Sequence, residues 1–157
     1  MTDMIRKLYT LLIAIASKLQ SALLLAVRLY WGYQFIQTGW GKLQNLDRVT
    51  HFFASLGIPA PALNAAFVSG LELVGGILLA AGLGSRLISL LFVGDMVVAY
   101  VTADRVAFLS FVSDPDKFVG AAPCTFLCAS LLILIFGPGP WSLDALIARR
   151  FTKQTAA

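Results

Sequence analysis

Apolar positions along this chain fall into four long blocks, divided by charge or by glycine and proline. They run from about Leu19 to Trp40, Asn64 to Leu83, Leu87 to Thr102, and Phe118 to Phe136. The breaks between and around them are Gly41-Lys42, the stretch from Gly57 to Pro61, Gly82 to Arg86, Asp104-Arg105, and Gly137 to Pro140. A helix needs about 20 apolar residues to cross roughly 30 Å of hydrocarbon, and these blocks are of that order. The ten-residue alternation of a membrane barrel is absent. The pattern predicts an all-α membrane protein, a four-transmembrane-helix bundle formed as one domain over residues 1–157.

Between the blocks lie shorter amphipathic stretches. Leu46, Val49, Phe52, Phe53 and Leu56 recur at helical spacing and predict an interfacial helix after the first span. Past the Gly137–Pro140 breaker, Ser142 is placed to cap another, with Leu143, Leu146, Ile147 and Phe151 toward lipid and Arg149 and Arg150 at head-group level. Met4 to Ser17 admits two readings. One is a third interfacial helix presenting Ile5, Leu8, Leu12 and Ile15 to lipid. The other is a signal peptide, with Arg6-Lys7 before an apolar core and Ala14-Ile15-Ala16 as its cleavage site.

Composition agrees with lipid as the solvent. Hydrophobic residues make up 59% and charged residues 13% of the 157, against about 25% charged in ordinary soluble domains. Mean hydropathy is +0.83. The net charge of +4 comes from twelve Lys and Arg scattered between apolar blocks, with no stripe of them suited to nucleic acid. Used as orientation signals, they favour both termini in the cytoplasm of a cell (inner) membrane. Arg6, Lys7, Lys18, Arg86, Arg149, Arg150 and Lys153 then lie inside, and Lys42, Arg48, Arg105 and Lys117 outside.

Three ionisable residues fall within the spans: Arg28, Glu72 and Asp95. Each lies eight or nine residues from its own end of a span, roughly 12–14 Å deep at 1.5 Å per residue. Since successive helices enter from opposite faces, all three are expected near the bilayer midplane. A charge there costs at least about 2.5–3.5 kcal/mol, so an Arg28–Glu72 ion pair with Asp95 beside it is predicted. One guanidinium against two carboxyls leaves a proton to be held or shared near neutrality. Such a cluster can exchange protons, or it can simply order the helices.

Tyr30, Gln34 and Gln37 share a helical stripe beyond Arg28, and Tyr100 lies one turn past Asp95. Amide donors between aromatic walls suit the ring oxygens of a quinone or quinol, which makes these four the candidate substrate-binding residues. Arg86 and Asp144 are expected on one side of the membrane, as a salt bridge pinning the C-terminal tail. Cys124 and Cys128 stand at i, i+4, wider than a C-x-x-C motif. They serve either as small packing residues or as a redox pair. His51 has no second ligand at metal spacing, so no metal or haem is predicted. Gly70, Gly75, Gly76, Ala80 and Ala81 permit close helix contact within or between chains.

Several pieces of the chain occur together in a known order. They are Arg28 with Gly32, Phe35 and Gly39-Trp40-Gly41-Lys42; Phe52 to Pro59; Glu72-Leu73-Val74-Gly75-Gly76; Gly82 to Arg86; and Gly137-Pro138-Gly139-Pro140-Trp141-Ser142-Leu143-Asp144. In these the sequence resembles the DoxX family of small four-span membrane proteins, over about residues 20 to 145. The family includes a small subunit of a terminal quinol oxidase, subunits resembling thiosulfate:quinone oxidoreductase, and members linked to oxidative stress or quinone resistance. The resemblance implies an accessory subunit of a membrane quinone oxidoreductase, with the redox centres on a partner chain or the chain acting as a homo-oligomer. No covalently bound cofactor is implied. The competing expectation is a non-enzymatic scaffold or assembly factor; a small-solute carrier is disfavoured by the lack of broken-helix repeats. The connection from Asp104 to Phe118 is longer and more apolar than the resemblance leads one to expect, and its Phe108, Phe111 and Phe118, with Asp114-Pro115-Asp116, could form an outer lid or a re-entrant segment.

Overall fold

The computed structural model describes residues 2–155, with every regular element helical. Met1, Ala156 and Ala157 lie outside the described residues, as does the side chain of Lys153, one of the cations counted above. The elements are α1 (Thr2–Gln44), α2 (Leu46–Ser55), α3 (Pro61–Ala81), α4 (Ser85–Thr102), α5 (Arg105–Leu109), α6 (Pro115–Gly120), α7 (Ala122–Phe136) and α8 (Leu143–Thr155). Three helices, α1, α3 and α4, are long and apolar enough to cross a membrane; α7 is apolar but only 15 residues long. The last part of α1 packs with α3, α4 and α7 as a bundle of four.

In lipid, apolar surface gains little by leaving its solvent, so close packing must hold helices together. The α1–α3 contact shows how. A Cβ on Gly32 would lie 2.9 Å from the Ala80 Cβ and the Gly76 carbonyl; one on Gly76 would lie 2.8 Å from the Ile36 nitrogen. Farther along, a Cβ on Gly39 would lie 2.8 Å from the Ser69 carbonyl oxygen. No side chain fits at these points, so the two backbones touch. Three of the small residues of α3 make contacts within the chain, Gly76 and Ala80 against α1 and Gly75 against the Phe92 ring, whereas a Cβ on Gly70 would meet nothing within 4 Å. On the other side, Phe35 stacks on Phe92 with centroids 3.6 Å apart, and Phe126 meets Phe35 edge-on at 4.8 Å.

Two boundaries differ from the sequence expectation. The segment from Met4 to Ser17 is no separate interfacial helix: α1 runs unbroken from Thr2 to Gln44. No glycine or proline interrupts it before Gly32, so helix propagates through. From Asp3 to Gln20 its side chains are exposed, and this arm projects roughly 30 Å past the bundle. The fourth span is shorter than expected because the backbone is extended at Ala121, which separates α6 from α7. The apolar loop after α4 folds as α5 and α6, tied down where Phe118 stacks on Tyr100 at 4.9 Å and meets Phe111 edge-on.

A helix, α2, is present where the spacing placed one. So is the capped C-terminal helix, where Ser142 Oγ accepts from the Ala145 N–H at 3.1 Å.

Candidate functional site

Helix register sets the site. Gly32 faces Ala80 and Gly39 faces Ser69–Glu72, so Lys42, one turn past Gly39, arrives beside Glu72. The Lys42 Nζ donates to Glu72 Oε1 at 2.6 Å, with Glu72 3% and Lys42 33% exposed. This is the only salt bridge among the described residues. The α3–α4 turn adds the third member. Gly82 and Gly84 both take the left-handed conformation there, and the Leu83 N–H reaches back to Leu78 O at 2.9 Å in a Schellman-type closure. Glu72 and Asp95 stand at comparable distances on either side of this turn and so reach the same level. Asp95 feels the charges of both Glu72 and Lys42.

The cluster of Lys42, Glu72 and Asp95 lines a cavity of about 210 Å³ between α2, α3 and α4. Val49, Phe52 and Phe53 of α2, with Leu56 just after it, roof it, and Val98 and Ala99 of α4 form a further wall. Two oxygens of the cluster, Glu72 Oε2 and Asp95 Oδ2, are buried without a hydrogen-bond partner. Buried polar atoms are normally satisfied, and an exception at a cavity wall marks where a ligand or water belongs.

Arg28 is not in this cluster, and the predicted Arg28–Glu72 pair does not form. The α1–α3 register puts Arg28 level with Gly82, ten residues from Glu72 and thus about 15 Å along the helix. The end of the apolar block is not the start of the bundle: α1 begins far outside it, which sets Arg28 at one end of the bundle. There the guanidinium is 1% exposed and donates through Nη2 to Trp141 O at 2.8 Å. It packs so tightly under Gly82 that a Cβ at that position would overlap its Nη1.

The Arg86–Asp144 salt bridge is also absent, although Asp144 does pin the tail. Its carboxylate accepts from the Gly84 N–H at 2.8 Å and the Ser85 N–H at 3.0 Å, and its own N–H donates to Gly82 O at 2.9 Å. Burial works to raise the Asp144 pKa. The hydrogen bonds from Ser85 and Gly84, with the field of Arg28, outweigh it and hold the carboxyl below its ordinary value. Arg86 instead reaches Ile135 O at 3.4 Å. Unpaired amides at a helix N-terminus are the better partner for a carboxylate at this spot.

The other candidates scatter. Tyr30 and Gln37 face outward, and Gln37 Nε2 donates to the Tyr33 hydroxyl at 2.7 Å. Gln34 is half-buried and lines neither cavity at the cluster. Tyr100 is buried, but its hydroxyl donates to Phe118 O at 2.8 Å and so fastens α6 rather than facing α1. Cys124 is buried, Cys128 is exposed, and both are free thiols. Lys42 is the residue that sequence reasoning missed. Aligning the glycines of α1 with those of α3 would have found it, since that register sets Lys42 against Glu72.

The DoxX family profile matches residues 23–105, more than half of the chain. The chain belongs to the DoxX family. The Escherichia coli protein named "Inner membrane protein YphA" is 31% identical over 78% of this chain and 88% of its own length. Inner membrane protein YqjF, from the same organism, is 26% identical over 85% of this chain and 98% of its own. A Bacillus subtilis protein named "Putative oxidoreductase CatD" is 32% identical over 50% of this chain, which spans only 57% of that relative. No solved structure matches the chain. Lys42, Glu72 and Asp95 all lie within the matched region.

Proposed function

We propose that this DoxX protein is a four-span inner-membrane subunit that binds the polar ring of a quinone-type amphiphile beside Lys42, Glu72 and Asp95, in association with a redox partner. The observation that carries this reading is the pair of unpartnered buried oxygens, Glu72 Oε2 and Asp95 Oδ2, on the wall of a largely apolar cavity. A volume of about 210 Å³ is below the roughly 300–1,000 Å³ that encloses a whole drug-sized ligand. It suits one ring, with an apolar tail left among the lipids. Lys42 then offers a donor to a ring oxygen, and the two carboxyls offer a place for its proton. One ammonium against two carboxyls makes the cluster a proton store as well as a binding site. The relative named as an oxidoreductase supports the same direction. Both termini on the cytoplasmic side would place the cluster toward the outer leaflet and Arg28 toward the inner one.

Titration of the purified chain with a short-chain quinone tests this. Binding is expected, and Glu72→Gln should weaken it without loss of folded protein. Unchanged binding in that variant would refute the site.

A second reading, a scaffold or assembly factor, is favoured by the exposed apolar arm of α1. Leu8, Leu11, Leu12, Ile15 and Leu19 are all open there. Under it, deleting the arm would dissociate a partner while quinone titration of the intact chain gave no signal.

A further inference from the structure

The Lys42–Glu72 pair lines a second cavity as well, on the far side from α2. It also measures about 210 Å³ and is bounded by Thr38, Met96, Asp104 and the first turn of α7. The two spaces share Lys42, Glu72, Met96 and Ala99, so the ion pair stands in the wall between them. Their chemistry differs. The first is closed by phenylalanines of α2. The second runs from Glu72 to Asp104, at the end of the bundle where α4 gives way to α5. Asp104 precedes α5, yet its carboxylate accepts no capping hydrogen bond. It is half-exposed, so it can meet water directly. A space of this volume with Thr38, Lys42, Glu72 and Asp104 as polar partners is roomy and polar enough for several waters.

Resting on the proposed binding of a ring hydroxyl at the cluster, we propose that Asp104 relays the proton from Glu72 to bulk water through this second cavity. The charged groups facing the path are Lys42 from α1, Glu72 from α3, Asp95 from α4 and Asp104 itself; α7 contributes Ala122, Pro123 and Phe126, none of which titrates. The ring O–H bond breaks and its proton passes to Glu72 Oε2. The electron pair stays on the ring oxygen, opposite the Lys42 ammonium. Glu72 gives the proton to a water in the second cavity, that water gives one to Asp104, and Asp104 releases it outside. The ligand ends as its anion and one proton enters the medium, with no oxidant involved. Asp104 touches no ligand in this scheme. It acts as a positioning and relay residue.

The test uses the full chain in lipid nanodiscs and an alkylated 4-nitrophenol, whose anion and neutral forms absorb at different wavelengths. Stopped-flow absorbance follows anion formation, while a pH indicator follows the proton in bulk. In the unsubstituted chain the two signals should rise together. In Asp104→Asn the affinity and the anion amplitude should stay unchanged, while bulk acidification lags by about tenfold or more, as loss of a positioned acid–base group implies. Asp104→Glu should restore the timing. Synchronous signals in Asp104→Asn would overturn the relay and leave the binding reading intact. A changed affinity or amplitude in that variant would also overturn it, by making Asp104 part of the binding site. Absence of any anion in the unsubstituted chain would overturn the binding reading and the relay together.

Discussion

Removing the two partners of the Lys42–Glu72 pair one at a time should produce unequal damage. Lys42→Met leaves Glu72, 3% exposed, with neither oxygen hydrogen-bonded, since Oε2 already lacks a partner. Stranding one member of a buried pair costs about 3–5 kcal/mol. The lower end applies here because Lys42 is one-third exposed and water reaches the pair. Glu72→Gln leaves Lys42 able to extend its stem toward water. Only the charge-assisted bond is then lost, about 1.5–3 kcal/mol less what the amide recovers. Expected costs are therefore about 3 kcal/mol for Lys42→Met and about 1 kcal/mol for Glu72→Gln. The double variant should cost no more than Lys42→Met alone, a coupling of about 1 kcal/mol or more. For a chain of this size 1 kcal/mol moves Tm by about 2–4 °C. Lys42→Met should thus melt about 6–12 °C lower than the starting protein. The assay is thermal unfolding in detergent, read with a thiol-reactive dye in a Cys128→Ala background, because Cys124 is buried and becomes reactive on opening. Equal single losses that add in the double variant would refute the reasoning, since independent residues behave that way.

Gly39→Leu should separate α1 from α3 at the level of the cluster. It should cost about 1–3 kcal/mol or more by overpacking and weaken quinone binding, whereas Gly41→Leu, where a Cβ meets open space, should do neither. Asp144→Ala removes the acceptor for two α4 amides, and a Tm loss equivalent to about 0.5–2 kcal/mol is expected at neutral pH. Because the folded pKa of Asp144 lies below its unfolded value of about 3.9, that stabilisation is complete above the unfolded value. It drains away as pH falls through the folded one, so melting of the parent and variant should converge only in strong acid. Arg28→Met frees the turn at Trp141, and trypsin cleavage at Arg149 and Arg150 should accelerate about tenfold, matching loss of about 1.4 kcal/mol of local closure.

The helices were legible because lipid imposes length and apolarity on whatever crosses it. The blocks around residues 64–83 and 87–102 match α3 and α4 to within a few residues. The neighbourhood of Glu72 and Asp95 was legible because each stands eight or nine residues into its own block and successive helices run in opposite directions; both line one cavity. Arg28 and Lys42 were not. Hydropathy is continuous through the first 27 residues of α1 apart from a few scattered charges, so it cannot say where the bundle starts along that helix. A span drawn from Leu19 moved Arg28 inward and left Lys42 as a flanking charge. Contact register, written in Gly32, Gly39 and Gly76, carries that information, and it needs two helices to be compared at once. The function of the tail residue Asp144 was legible in kind but not in partner, because backbone amides leave no mark in a sequence.

Where two backbones meet with nothing between them, neither helix of the pair can slide or tilt without collision. α1 and α3 therefore form a fixed plank that holds Lys42 and Glu72 at a set height. The α2 helix over the cavity has no fully buried residue and takes no part in that glycine contact.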